Sequence, residues 1–371
     1  MLAPRVPARQ EPLSEPVSEV SSLRRCREAP GGMNMASQAI DIAPETRMFQ
    51  MTFDALVTAR ACYAAAKLRI PDLLKDGSRT SDELAAASET DPRSLYRFLR
   101  CLATVGLVTE GPDRRFALTE LGATLRSDAV GSMRAWVEFF GEPYYLAAWA
   151  DIVYSLRTGQ AAFNHVHGRP FFDYLSGHPE DSRVFDEAMT SLTAIVVTEV
   201  LSTYDFSGFK RVIDVGGGRG SLLTAILKTN PNATGVLFDL PRVIADAGKL
   251  DLGPRCELAS GDFFAELPAG GDAYIMKWIL HDWDDAACRR ILASCRRAIA
   301  PEGKLLLIET VVPPPGVAHH SKLDDIEMMV LLGSQERTEE EYGALLRPGF
   351  RLVRIARTLT ELVNVIEAVP V

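Results

Sequence analysis

Between residue 211 and the end of the chain, two kinds of apolar segment alternate. Short runs such as RVIDV, ATGVLFDL, DAYIMKWIL and GKLLLIE predict buried strands, and segments with apolar residues at helical spacing lie between them. This alternation predicts an α/β, doubly wound sheet with helices on both faces. The last two runs, FRLVRIART and ELVNVIEAV, are separated by so few residues that we expect an antiparallel hairpin at one edge of a mixed sheet.

The hydrophobic pattern before residue 211 is mainly helical. The segment MFQMTFDALVTARACYAAAKLRI has apolar residues at helical spacing and is expected to end at Pro71. Thr80 or Ser81 is expected to cap a short helix, and Asp91-Pro92 opens the next one. LVTEGPDRRFALTELG then predicts two strands joined by a turn. Helices followed by such a hairpin outline a winged helix, which serves either to recognise DNA or as a packing module.

The charge of the chain favours the packing module. Arg93, Arg97 and Arg100 lie on the second predicted helix, but the net charge is −9. Because an acidic protein repels a polyanion, we expect no nucleic-acid partner. No apolar run approaches the roughly 18 residues that a membrane span requires. The six cysteines are scattered without a CxxC pair, so we expect a cytoplasmic protein with reduced thiols and no membrane partner.

Composition divides the chain into four segments. Residues 1–40 are rich in proline and poor in large apolar residues, which predicts a disordered extension. The other segments are a winged-helix-like region (41–130), a helical linker (131–204) and the α/β domain (205–371). The linker is unusually aromatic, and its rings serve either as core or as the wall of a pocket for a flat ligand. Its His165 and His167 have no third ligand nearby in sequence, so we expect no metal there.

A glycine-rich stretch, DVGGGRG, follows the first predicted strand. Gly216, Gly218 and Gly220 form a GxGxG pattern, in which the absence of Cβ atoms allows the backbone to approach a ligand closely. The dinucleotide fingerprint GxGxxG is not met, because Ser221 stands at its last position. The stretch therefore predicts a nucleotide-like ligand other than a dinucleotide.

Three carboxylates come at or just after the ends of the first three strands. Asp239 is placed to accept hydrogen bonds from ribose hydroxyls, Asp262 from the amino group of an adenine, and Asp214 to lie near a positive charge on the ligand. Together the three acids suit a ligand with a ribose, an adenine and a cationic group, and they do not suit a pyrophosphate.

The fourth predicted strand ends in polar residues. Its apolar run, Tyr274 to Leu280, contains Lys277 and is followed at once by His281 and Asp282. A lysine in the middle of a buried strand and a histidine with an acid at its tip are either accidental or mark the place where chemistry occurs.

These motifs together resemble one family. VIDVGGGRGSLLTAIL, LFDLP, GDFF, MKWILHDWDD, GKLLLIE and QERTEEEY are similar to the small-molecule O-methyltransferases of the plant caffeate type and their bacterial natural-product relatives, from about residue 45 onwards. The resemblance implies a Rossmann-like methyltransferase domain that binds S-adenosyl-L-methionine and releases S-adenosyl-L-homocysteine. It also implies a homodimer formed through the N-terminal region, and no metal.

The resemblance implies that His281 is a general base flanked by two acids, Glu309 and Glu336. A phenol has a pKa of about 10, so an enzyme that methylates it at neutral pH has to help remove its proton. A neutral histidine can take that proton while a carboxylate fixes its tautomer. Asp282 either helps to orient the histidine or caps the next helix.

The resemblance also implies two sets of contacts. The expected cofactor contacts are Asp214, Gly216, Gly218, Asp239, Leu240, Asp262, Phe263 and Lys277. The expected substrate contacts are Met189, Trp278, Asp282, Glu327 and Met329, together with aromatic side chains between residues 136 and 172.

Two positions depart from the family pattern. Glu327 stands where an uncharged residue is more usual, and Leu331 stands where plant members carry asparagine. These departures favour a polyketide or other aromatic natural product over a phenylpropanoid, and Glu327 is expected to recognise a cationic or hydroxylated group. The leading hypothesis is methylation of a phenolic or enolic hydroxyl. The alternatives are the same fold and cofactor used for hydroxylation, decarboxylation or isomerisation, and a winged-helix DNA-binding regulator.

Overall fold

The structure, a computed structural model, describes residues 43–371. The extension expected for residues 1–40 lies outside the described residues. The chain divides into residues 1–48 and residues 49–371, and the second unit carries the sheet and the candidate site.

Short helices and a three-stranded antiparallel sheet make up the first part of the described chain. The elements are α1 (Pro44–Phe49), a π-helical turn (Gln50–Asp54), α2 (Ala55–Lys67), α3 (Ile70–Leu73), β1 (Arg79–Thr80), α4 (Ser81–Ala87), α5 (Pro92–Thr104), β2 (Val108–Glu110), a 3-10 turn (Pro112–Arg114), β3 (Arg115–Leu118) and α6 (Glu120–Ala123). The strand order is β1-β3-β2, so the expected hairpin is present as β2 and β3.

The helix boundaries in this part follow from local capping. Helix α2 ends at Lys67 rather than at Pro71, which instead lies in the first turn of α3, where its missing N–H leaves no hydrogen bond unmade. Thr80 caps α4, because its hydroxyl accepts from the Glu83 N–H at 3.2 Å while the Glu83 carboxylate accepts from the Thr80 N–H at 2.7 Å. Asp91 caps α5 as expected.

Six helices follow and bury a large set of aromatic rings. They are α7 (Arg134–Gly141), α8 (Pro143–Ala150), α9 (Ile152–Thr158), α10 (Ala162–His167), α11 (Phe171–Gly177) and α12 (Pro179–Thr203). Their rings pack together into what we call the aromatic cluster, formed by Trp136, Phe139, Phe140, Tyr144, Tyr145, Trp149, Phe163, Phe171, Phe172, Tyr174 and Phe185. Met189 of α12 packs against the same cluster.

A seven-stranded mixed sheet forms the rest of the chain. Its elements are β4 (Arg211–Val215), α13 (Ser221–Thr229), β5 (Thr234–Asp239), α14 (Pro241–Ala247), β6 (Cys256–Ser260), β7 (Ala273–Lys277), a 3-10 turn (Leu280–Asp282), α15 (Asp285–Ala298), β8 (Lys304–Glu309), β9 (Val311–Val312), α16 (Ser321–Leu331), β10 (Arg337–Thr338), α17 (Glu339–Leu346), β11 (Phe350–Arg357) and β12 (Asn364–Pro370). The strand order is β11-β12-β8-β7-β4-β5-β6, with β9 and β10 forming a separate parallel pair.

The sheet confirms the doubly wound α/β architecture and the antiparallel hairpin at its edge. Strands β4 to β8 are parallel, whereas β12 runs antiparallel to both β8 and β11. Neighbouring residues of one strand face opposite cores: Ile213 packs with residues of α15 and α17, and Val212 packs with residues of α12 and α13. Burial on both faces explains why these strands are apolar throughout.

The parallel strands end at one edge of the sheet, where ligands bind in folds of this kind. Gly216, Leu240, Asp262, Trp278 and Thr310 follow the five parallel strands there. Within residues 43–371, no helix has the length and apolar character needed to cross a membrane.

Candidate active site

The glycine-rich loop leaves β4 in a conformation that requires glycine. Gly216, Gly218 and Gly220 all have positive φ angles, of 67°, 59° and 77°. At Gly216 a Cβ atom would also collide with the side chain of Ile279, and the ring of Phe263 lies 4.0 Å from the same point. The loop, which contains Gly216, thus places backbone without side chains close to Phe263. Both residues are expected to contact the cofactor.

Two of the three predicted carboxylates are fixed at this edge by backbone hydrogen bonds. Asp239 accepts from the Gly218 N–H at 2.9 Å and from the Leu240 N–H at 2.7 Å, so it connects the glycine loop to the end of β5. Burial raises the pKa of Asp239, although these bonds to the carboxylate oppose that effect. Asp262 accepts from the Phe264 N–H at 2.8 Å. The Leu240 side chain beside them is 40% exposed, so part of it is open to a ligand.

Asp214 and Lys277 lie close enough for their charges to interact. Asp214 is 2% exposed, and among residues 43–371 its Oδ2 has no hydrogen-bond partner. Burial raises the pKa of Asp214 to about 7, opposed by the charge of Lys277, and burial lowers the pKa of Lys277 to about 8. Lys277 is the last residue of β7 rather than in the middle of the strand, and its Nζ lies 4.0 Å from the ring centroid of Trp278. The expectation of a lysine within the strand was wrong, because the strand ends there and Trp278 takes a positive φ of 53°.

These features fit the ligand that the sequence suggests. The space where a Cβ would stand is open at Gly218, Asp239 and Asp262 bring oxygens to the edge, and Asp214 offers a buried oxygen without a partner beside the loop. An adenosine with a cationic group matches that set of acceptors better than a phosphate would, because carboxylates repel a phosphate.

His281 lies in the 3-10 turn that follows β7, surrounded by three acids. The Glu336 Oε1 is 2.7 Å from Nδ1, the Asp282 Oδ1 is 3.3 Å from Nε2, and the Glu309 Oε2 is 3.9 Å from Nδ1. The pairing of β9 with β10 explains why Glu309 and Glu336 lie close together. Val311 is two residues after Glu309, Arg337 is one residue after Glu336, and Val311 lies opposite Arg337. Glu336 is therefore the acid that hydrogen-bonds the histidine.

Glu309 orients the backbone rather than the ring. Its Oε1 accepts from the N–H groups of Ile279 and Leu280, at 3.0 and 2.8 Å. At 3.9 Å its other oxygen is too far from the histidine for a hydrogen bond. Burial raises the pKa of Glu309 to about 7. The expectation that both acids flank the histidine holds for position, but only Glu336 makes a direct bond to it.

Asp282 does not cap the next helix. The cap of α15 is Asp284, which accepts from the Ala287 N–H at 2.7 Å. Asp282 instead faces the ring of His281, and burial raises the pKa of Asp282 to about 6. Of the two roles left open from sequence, the capping role was wrong, because the 3-10 turn shifts the start of the helix by two residues.

The three acids decide the charge of the histidine. Burial by itself lowers the pKa of His281, but the carboxylates of Glu336, Glu309 and Asp282 outweigh burial and raise it to about 10. The ring nitrogen and two of the carboxylates lie within 4.8 Å of one another, as metal ligands would. However, the 2.7 Å between Nδ1 and Glu336 is a hydrogen-bond length and is shorter than the roughly 3 Å that separates two ligands of one metal ion.

One residue of the site was missed from sequence. Arg337 is fully buried, and its guanidinium donates to the carbonyl oxygens of Leu280 and Trp283, both at 2.8 Å, and to Asp285 at 3.0 Å. It therefore fixes the turn that carries His281 from both sides. The signal available was its place directly after Glu336, but a charged residue beside an acid is usually solvated.

Among the substrate-facing candidates, Glu327 and Met329 lie on α16 and Met189 lies on α12. On α16, the Glu327 Oε2 accepts from the Tyr145 hydroxyl at 2.6 Å and from Trp149 Nε1 at 3.0 Å, and Met329 packs against the aromatic cluster with Met189. Trp283 stacks on Phe172 with ring centroids 6.1 Å apart, which joins the His281 turn to that cluster.

Trp278 and the linker histidines are placed differently. Trp278 packs against the core on the α12 side of the sheet, while its ring faces Lys277. His165 pairs with Asp151 at 2.7 Å, and His167 lies 2.9 Å from the Tyr144 carbonyl oxygen, so the two imidazoles have separate partners.

Two family models match the chain. Residues 146–351 match an O-methyltransferase domain, and residues 51–128 match an O-methyltransferase dimerisation domain. The second match covers the helices and the hairpin described above.

Similar proteins are known from bacteria. The phenazine O-methyltransferase PhzM of Lysobacter antibioticus is 44% identical over 84% of this chain and 92% of its own length. The 8-amino-8-demethylriboflavin N,N-dimethyltransferase of Streptomyces davaonensis is 42% identical over 83% of this chain and 91% of its own. The crystal structure of the O-methyltransferase NcsB1 from neocarzinostatin biosynthesis, in complex with S-adenosylmethionine and 2-hydroxy-5-methyl naphthoic acid, has a TM-score of 0.72 and 32% identity, covering 85% of this chain and 96% of that one.

Proposed function

We propose, from the premise that this chain belongs to the family of S-adenosylmethionine-dependent O-methyltransferases, that it methylates a phenolic or enolic hydroxyl of an aromatic natural product, with His281 as general base. The observation that carries the proposal is the hydrogen bond between His281 Nδ1 and Glu336, which leaves Nε2, 3.3 Å from the Asp282 Oδ1, as the nitrogen that can face a substrate proton. This is the arrangement in which a carboxylate orients an imidazole for proton transfer.

When bound, S-adenosylmethionine supplies a methyl group on a sulfonium cation. Asp239 and Asp262 are proposed to accept hydrogen bonds from its ribose and adenine, and the glycine loop and Phe263 to lie against it. Leu240, Asp214 and Lys277 complete the proposed cofactor contacts. The family membership and the cofactor follow from the comparisons, whereas the role of each residue is a proposal from its position at the sheet edge.

The raised pKa of His281 suits a phenol. In the free protein the ring is held as an imidazolium by its three carboxylates, since its pKa is raised to about 10. The neutral form of the ring, a minor one at neutral pH, is the form that takes the proton of a phenol, and because a phenol has nearly the same pKa, about 10, this transfer costs little. The reactive state is a phenolate beside an imidazolium, and Glu336 and Asp282 stabilise the imidazolium. Asp282 is also placed to contact the acceptor.

The acceptor is proposed to be a flat, ring-fused molecule. The aromatic cluster, Met189 and Met329 give an apolar wall beside the His281 turn, which suits ring stacking. The relatives named for phenazine and riboflavin substrates act on fused heteroaromatic rings, and we extend that class to this chain.

The test is mass spectrometry of a library of hydroxylated phenazines, naphthoates, quinones and flavins incubated with the protein and S-adenosylmethionine. We expect a product heavier by one methyl group, and we expect His281→Ala to lower its rate by about 10²–10⁴-fold. The affinity for S-adenosylhomocysteine, measured by calorimetry, serves as the control for folding. If His281→Ala methylates the same acceptor at the wild-type rate, the proposed base is wrong.

We also propose that the protein is a homodimer. The dimerisation-domain match begins at residue 51, within a row of exposed apolar side chains: Phe49, Met51, Phe53 and Leu56. A contiguous exposed apolar row of this kind is typical of an interface.

A further inference from the structure

Glu327 is a carboxylate with one oxygen bonded and one oxygen free. Its Oε2 accepts from both Tyr145 and Trp149, at 2.6 and 3.0 Å. Within residues 43–371 no donor reaches Oε1, and that atom is not among the fully buried oxygens. The side chain is therefore fixed in direction, with its second oxygen available to a ligand.

The surroundings of this carboxylate are aromatic. Tyr145 packs on Phe140 with centroids 4.9 Å apart, and Phe140 packs on Trp136 at 4.4 Å. Burial raises the pKa of Glu327 to about 7, opposed by the hydrogen bonds from Tyr145 and Trp149. An acid in an apolar wall is costly unless its oxygens are hydrogen-bonded, and only one of the two oxygens has partners here.

Glu327 is close in the helix to an acid that interacts with the proposed base. Asp324 and Glu327 are three residues apart on α16, so they share a helix face and are separated by roughly 4.5 Å along its axis. Asp324 lies close enough to His281 and Glu336 to interact with their charges, and the neighbouring Asp325 accepts from the Glu336 N–H at 2.9 Å. A flat ligand with a hydroxyl near His281 can therefore extend along α16 towards Glu327.

We propose that Glu327 is a specificity-determining residue that binds an amino group on the ring system of the acceptor, so that the preferred substrates are amino-substituted hydroxyaromatic compounds. The inference rests on the proposed function and adds to it the second polar group of the substrate. The chemistry is that of a carboxylate oxygen accepting an N–H, flanked by ring faces that attract the partial or full positive charge of an amine. Tyr145 and Trp149 hold the carboxylate in place for it.

The test compares matched acceptors that differ by one group. The probes are 3-amino-4-hydroxybenzoate against 4-hydroxybenzoate and 3,4-dihydroxybenzoate, and 5-amino-1-naphthol against 1-naphthol and 1,5-dihydroxynaphthalene. For the wild type we expect kcat/KM to favour the amino member of each set by about tenfold or more, since a site built for a hydrogen-bond donor discriminates against analogues without it. Glu327→Met should reduce that preference to about twofold by raising KM for the amino member, with kcat little changed.

The control variant is Glu340→Gln, an exposed acid on α17 that should keep the wild-type preference. Melting temperature and affinity for S-adenosylhomocysteine show whether Glu327→Met is folded. The inference is overturned if the wild type handles the three members of each set alike, if it prefers the dihydroxy member, if Glu327→Met keeps the preference for the amine, or if no amino probe is methylated. If the probes without an amino group are methylated, and if His281→Ala loses that activity, the proposed function is supported. In that case only the proposed role of Glu327 is wrong.

Discussion

At the scale of single residues, the charge of His281 is the property that matters most. Three carboxylates surround one imidazole, and only Glu336 forms a direct hydrogen bond to it, at 2.7 Å. The other two act through their charge and through the backbone. The pKa of His281 decides whether its ring is a neutral base or a cation. That pKa is set by acids that come from three different parts of the chain.

We predict that Glu336→Gln lowers kcat by about tenfold or more, because the imidazolium loses its closest counter-charge. The same change lowers the pKa of His281 from its raised value of about 10. Since the base must be deprotonated to act, kcat/KM of the wild type should rise with pH towards that pKa, and in the variant the rise should occur at lower pH.

The measurement is the pH profile of kcat/KM, together with an NMR titration of the His281 ring. Glu340→Gln, an exposed acid on the neighbouring helix, is the matched control and should keep the wild-type profile. A profile for Glu336→Gln that matches the wild type would show that this acid does not set the pKa of the histidine.

At the scale of secondary-structure elements, two short strands and one turn build the part of the site around His281. The pairing of β9 with β10 brings Glu309 and Glu336 together, and Arg337 joins β10 to the turn that carries His281. A side chain with five donors is suited to this task, because it satisfies two carbonyl oxygens and one carboxylate at once.

We predict that Arg337→Lys lowers the free energy of unfolding by about 2 kcal/mol, because a lysine cannot reach both carbonyl oxygens and leaves a buried acceptor without a partner. The rate of methyl transfer should also fall, since the turn then holds His281 less firmly. Urea unfolding and kcat are the two measurements.

The control for this prediction is Arg289→Lys, which changes an exposed arginine that pairs with the same Asp285, at 3.4 Å. An exposed pair of this kind contributes little, so the control should unfold like the wild type. Equal effects of the two substitutions would mean that the carbonyl bonds of Arg337 do not matter.

Elements were predictable from sequence where one local signal decides them. The sheet, its hairpin and the caps at Thr80 and Asp91 follow from periodicity and capping chemistry. The end of β7 at Lys277 and the 3-10 turn after it were not predicted, because the apolar run continues to Leu280 while the backbone turns at Trp278. The hydrophobic pattern of a sequence gives no information about a change in the backbone φ angle, such as the one at Trp278.

Site residues were predictable by position but not by partner. His281 and Glu336 were expected together, and the structure brings them together. That Glu309 binds backbone N–H groups, and that Glu327 binds Tyr145 and Trp149, depend on tertiary contacts between segments far apart in the chain. A one-dimensional pattern carries no information about such contacts.

At the scale of the whole molecule, the exposed apolar row at Phe49, Met51, Phe53 and Leu56 predicts a second copy of the chain. We predict that the wild type has twice the chain mass in light scattering and that Phe53→Glu shifts it towards the monomer, because a charge in an apolar interface loses its water.

The control is Leu359→Glu, which changes an isolated leucine that is 93% exposed and should leave the mass unchanged. If Phe53→Glu keeps the wild-type mass, this row is not the dimer interface. Catalytic activity should be measured on both variants, since a site that is complete within one chain would survive dissociation.

The positions of the tryptophans have an optical consequence. The chain has four tryptophans, and all lie around the proposed site: Trp136 and Trp149 in the aromatic cluster, Trp278 beside Lys277 and Trp283 on Phe172. The tryptophan emission of the protein therefore originates from indoles next to residues proposed to bind cofactor or acceptor. Ligand binding is expected to change that emission directly, so the unlabelled protein carries its own fluorescent probe of occupancy.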